Sequence, residues 1–65
     1  MKIKLTEQES RLLSRFDIFI DKNKNYSDDE LLDISEKIYE QESFNYNNPV
    51  ANKLALLADK IQDLI

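Results

Sequence analysis

Apolar residues recur along the 65-residue chain in three stretches with helical spacing, separated by two polar breaks. In the first stretch, at about 100° per residue, Leu5, Leu12, Leu13, Phe16, Phe19 and Ile20 fall within an arc of about 120°, the width of a core-facing stripe. Thr6 stands ahead of most of it, with Glu9 three residues on. That spacing makes a capping box, in which the Thr hydroxyl accepts the Glu9 amide and the Glu carboxylate accepts the Thr6 amide. Together these signals predict helix 1 over about 7–22. The second stretch follows Asn23-Lys24-Asn25. Ser27 and Glu30 form another capping box, and Tyr26 and Leu31 occupy the two positions of a hydrophobic staple. Leu31, Leu32, Ile34, Ser35, Ile38 and Tyr39 share a face and predict helix 2 over about 28–42. Asn48 and Pro49 suit the cap and first turn of a third helix. Its apolar side, running from Val50 through Leu54, Leu57, Ala58 and Ile61 to Leu64 and Ile65, predicts helix 3 over about 49–65.

Strand-like alternation is confined to Lys2-Ile3-Lys4-Leu5, and no fixed-period repeat is present. The expected fold is therefore all-α, a single compact three-helix bundle, because short connections favour antiparallel neighbours. A chain this small buries only about 60% of the surface it exposes when unfolded, so its core must be well packed or shared with a partner. Leu13, Phe16, Leu32, Ile38, Leu54, Leu57 and Ile61 are expected among the most buried residues. The chain has no Gly, so the left-handed position that ends helix 1 is expected to fall to an Asn in the 23–25 break. Phe44 and Tyr46, in an aperiodic segment before Pro49, are expected to lie over the open end of the core.

Composition narrows the chemistry. With no Cys and no His, disulfides, thiolate catalysis and the commonest general base and zinc ligand are all missing. No catalytic residue, cofactor or metal ligand is expected, and the chain reads as non-enzymatic. Asp21, Asn23 and Asn25 occupy the first, third and fifth ligand positions of a calcium loop. Tyr26, however, stands where that loop needs Gly, and Leu32 where it needs a bidentate Glu, so the run reads as an Asn-rich turn. No apolar run approaches the roughly 18 residues that a bilayer requires, so no membrane association is expected. The first seven residues turn polar at once, unlike a secretory signal, and a cytoplasmic location is the expectation. Lys, Asn and Ile supply 20 of the 65 residues, the bias of AT-rich codons that is common in low-GC bacteria, their phages and mobile elements.

The formal net charge is −4, and it is unevenly placed. Residues 1–24 carry six basic and four acidic groups, residues 25–48 one and seven, and residues 49–65 two and two. Asp28, Asp29 and Glu30 suit the positive end of the helix 2 dipole, but Asp33, Glu36 and Glu40 have no such reason and form an acidic face open to a basic partner. Two apolar residues fall on the wrong side of the predicted helices. Ile18 lies about 160° from the centre of the helix 1 stripe, amid Arg11 and Arg15. Leu56 lies nearly opposite the core side of helix 3, near Asn52, Lys53, Asp59, Lys60 and Asp63. Arg11, Arg15, Ile18, Leu56, Asp59 and Asp63 are therefore the leading contact surface, for a second copy in a homodimer or for another protein. The functional reading is a small acidic protein-interaction module, a regulator or inhibitor of the kind phages and mobile elements carry. The alternative is a nucleic-acid-binding regulator using the basic side of helix 1. It is disfavoured because phosphate neutralisation dominates such affinity, helix 2 would be repelled, and helix 3 offers only Lys53 and Lys60.

Overall fold

The computed structural model describes all residues 1–65 and holds three helices, α1 (Glu7–Ser14), α2 (Asp28–Phe44) and α3 (Val50–Gln62), with no strand. They form an all-α three-helix bundle whose main helix contact is α2 against α3. The α2 start follows the local signals. Ser27 Oγ accepts the Glu30 amide at 3.3 Å and Glu30 Oε1 accepts the Ser27 amide at 3.2 Å, so two otherwise orphaned donors are satisfied. Tyr26 and Leu31 flank this box and are both buried in the core, completing the staple. Asn48 Oδ1 accepts the Val50 amide at 3.1 Å ahead of α3, and Pro49 already has helical φ and ψ, so the Asn-Pro pair starts this helix.

α2 and α3 bury Leu31, Ser35 and Ile38 against Ala51, Leu54, Leu57, Ala58 and Ile61. Ser35 is fully buried, and its hydroxyl donates to the Leu32 carbonyl at 2.8 Å, which meets its polar demand within the helix. Leu32 itself is 40% exposed and does not belong to the core, contrary to expectation. It sits at the edge of the α2 apolar arc, where Ser35 takes the facing position. Phe44 ends α2 and Tyr46 follows it; both are exposed, and neither covers the end of the core. No helix is long and apolar enough to cross a membrane.

The N-terminal region departs from its predicted form. α1 stops at Ser14 instead of continuing to residue 22. Asp17 takes φ +59°, in the left-handed region, and two hydrogen bonds close around it. The Asp17 amide donates to the Ser14 carbonyl at 3.2 Å and the Ile18 amide to the Leu13 carbonyl at 3.0 Å. This nested pair is a Schellman motif with Asp17 at its left-handed position. Such a turn brings the residue after it against the residue that starts it, and Leu13 and Ile18 both belong to the buried core. Ile18 is thus 8% exposed, not outward-facing. Phe19, assigned to the core stripe by the continuous helical wheel, is 75% exposed, and Phe16 is half-buried.

From the turn the chain runs without helix to Ser27. Asp21 Oδ1 accepts the Asn23 amide at 2.9 Å, a local Asx turn, and the Tyr26 hydroxyl accepts the Asp21 amide at 2.9 Å. Met1 and Tyr26 exchange backbone bonds in both directions, at 2.7 and 2.8 Å. The segment between Met1 and α1 has no regular secondary structure, with Ile3 and Leu5 buried and Lys2 and Lys4 exposed. Its alternation of apolar and polar residues is the strand-like pattern visible in the sequence, used here to close the core without a sheet.

Candidate functional site

The cap of α1 places its cationic face. Glu9 lies at the third helical position, where its carboxylate accepts the Thr6 amide at 2.8 Å and also the Lys60 ammonium of α3 at 3.1 Å. The Thr6 amide, with help from Lys60, holds the Glu9 carboxyl below the usual carboxylate range. This bond ties α1 to α3 along one edge. Beside it an open groove of about 630 Å³ runs between the two helices, with Arg11, Arg15, Lys53 and Lys60 among its lining residues and Leu12, Leu56 and Leu57 as its apolar ones. Leu56 is 70% exposed, while Leu57 turns into the core. Arg11 is engaged by Glu7 at 2.6 Å and Lys60 by Glu9, whereas Arg15 and Lys53 make no ion pair.

Of the residues singled out in the sequence, the fold brings Arg11, Arg15 and Leu56 together in this groove. It separates the others. Ile18 lies outside this groove, because the Schellman turn takes it off the helix and into the core with Leu13. Asp59 lies at the α2–α3 seam, where its carboxylate accepts the Tyr39 hydroxyl; this bond raises the Tyr39 pKa, since losing the proton would set two negative charges side by side. Asp63 caps the C-terminus of α3 and is exposed. Neither acid lines the groove. The helical wheel sets Lys53 and Lys60 beside Leu56, yet they were not counted in the expected contact surface, while Asp59 and Asp63 were. Their spacing around Leu56, three residues before and four after, puts all three on one helix face.

The acidic face of α2 is a second surface. Asp33 pairs with Lys37 at 3.7 Å, while Glu36 and Glu40 are exposed without a cationic partner. Near the start of α2, the Lys24 ammonium meets Glu30 at 2.9 Å and lies 4.9 Å from the Tyr26 ring centroid. This contact lowers the Glu30 pKa and raises that of Lys24. No group of three or more acidic side chains converges where it could hold a metal ion. No family model, curated protein or solved structure matches the chain.

Proposed function

We propose that the chain is a non-enzymatic protein-interaction module, a small regulator or inhibitor that acts by docking another protein in the α1–α3 groove. The observation that carries this reading is Leu56, a large apolar side chain 70% exposed among cations. Burying such a side chain on association contributes about 1.5–3 kcal/mol. The surrounding Arg11, Arg15, Lys53 and Lys60 add orientation and selectivity for a carboxylate-bearing partner more than strength. The mix of one exposed leucine and cationic walls suits an amphipathic helix laid along α3, one apolar residue meeting Leu56 and acidic residues reaching the walls.

A photoreactive side chain at position 56, with position 47 in the α2–α3 connection as control, tests this in cells producing the full chain. The expected result is one discrete protein adduct from position 56, lost when Arg15→Glu and Lys53→Glu are added. Equal adducts from both positions would contradict it. The nucleic-acid reading draws on the same four cations. Two of them are already engaged by Glu7 and Glu9, which leaves Arg15 and Lys53 against the seven acidic groups of residues 25–48. A gel shift at low salt that weakens steeply as salt rises would favour that alternative.

A further inference from the structure

We infer that a second copy of this chain occupies the groove, presenting the acidic outer face of its α2. This deepens the docking reading and rests on it. The two surfaces carry the same spacing with opposite charge. Along α3, Lys53 precedes Leu56 by three residues and Lys60 follows it by four; along α2, Asp29 precedes Leu32 by three and Glu36 follows it by four. On a helix these offsets put each charge directly beside its leucine, so both helices present an apolar side chain between two like charges about 10 Å apart. Leu32 and Leu56 are both exposed, at 40% and 70%. Lys53, Asp29 and Glu36 have no ion-pair partner within the chain. Glu40, one turn beyond Glu36, extends the acidic row, and Arg15 extends the basic wall on the α1 side. Laid side by side, the leucines meet and the unpaired Lys53 and Arg15 face unpaired carboxylates, while Lys60, held by Glu9, adds only its longer-range charge.

The two halves differ, and they lie on different sides of α3: the groove on its α1 side, the α2 helix across the Tyr39–Asp59 contact. The contact is therefore heterologous, each copy giving α2 to the next copy's groove. Its strength is ionic in part. The screening length falls from about 10 Å at 0.1 M salt to about 3 Å at 1 M, and assembly weakens over that range.

Sedimentation velocity of the full chain at low salt, over a concentration series, tests this with two variants. One reverses the groove (Arg15→Glu, Lys53→Glu) and the other the acidic face (Glu36→Lys, Glu40→Lys). All four positions are exposed and unpaired, and unchanged circular dichroism verifies folding. The wild type is expected to assemble. Each variant alone is expected to stay monomeric to about tenfold higher concentration, since like charges then face each other. Mixed together, the two variants retain one intact groove and one intact acidic face, so they should form a 1:1 complex and nothing larger. A wild type that is monomeric throughout, or an assembly that survives both variants, would overturn the inference. In the first case, cross-linking from position 56 still decides separately whether the groove docks a foreign protein.

Discussion

The α2–α3 half and the first 27 residues are built on different terms. In the first, long helices with well-marked starts pack continuous apolar faces, so a helical wheel drawn from the sequence finds most of the core. In the second, a helix of eight residues is followed by a left-handed turn and a non-helical run, and the core is completed by single residues delivered from irregular backbone. Periodicity is informative only while the helix lasts. Beyond Ser14 the same wheel inverts the truth, placing Ile18 outside and Phe19 inside. One left-handed residue, Asp17, accounts for both errors.

The largest expected difference lies in core truncation. Leu54→Ala should cost about 3 kcal/mol, because Leu54 is fully buried between α2 and α3 and leaves a cavity. Phe16→Ala, at a half-buried position in the irregular half, should cost about half as much despite its larger side chain. Thermal or denaturant unfolding of the two variants checks this, and equal losses would erase the distinction between the regions.

Much of the fold was legible because its starts are chemically explicit. Thr6 with Glu9, Ser27 with Glu30, the Tyr26–Leu31 staple and Asn48-Pro49 all function as their residue types imply. The end of α1 was not legible in the same way, since Asp tolerates the left-handed conformation less readily than Gly or Asn and gives a weaker stop signal. The Asn residues at 23 and 25 drew the expected helix end eight residues too far. A cue was nonetheless present, in two apolar residues five apart, Leu13 and Ile18, with Asp17 immediately before the second. The candidate site was legible in halves. Wheel positions identified Arg11, Arg15 and Leu56, but only the packing of α1 beside α3 brings them to Lys53 and Lys60, and no local pattern encodes that pairing.

The two helix boundaries offer the next contrast. Asp17→Gly should stabilise the chain by about 1 kcal/mol, by removing the steric cost of a left-handed non-Gly residue. Ser27→Ala should destabilise it by about 1 kcal/mol, by orphaning the Glu30 amide. Urea midpoints read both changes, and opposite signs are expected.

Acidification should give a smaller effect. A carboxylate whose pKa is lowered by folding contributes stability that is present above its unfolded pKa and lost as pH falls through the folded one. The Glu9 tie between α1 and α3 should therefore weaken from about pH 4.5 downward. Amide exchange within α1 is expected to accelerate over that interval, and Glu9→Gln, which keeps a capping side chain but no charge, should flatten the response. A response unchanged in Glu9→Gln would place the acid-sensitive group elsewhere.

A matched pair of substitutions tests most directly how the Schellman turn separates core from exposed surface. Ile18→Lys and Leu56→Lys introduce the same side chain at two positions that a continuous helical wheel would treat alike. Equilibrium unfolding should find Ile18→Lys destabilised by about 3 kcal/mol or more, through an unpaired charge forced toward the core, and Leu56→Lys within about 0.5 kcal/mol of wild type. An Ile18→Lys chain as stable as Leu56→Lys would contradict the account, returning residue 18 to the surface and α1 to an unbroken helix.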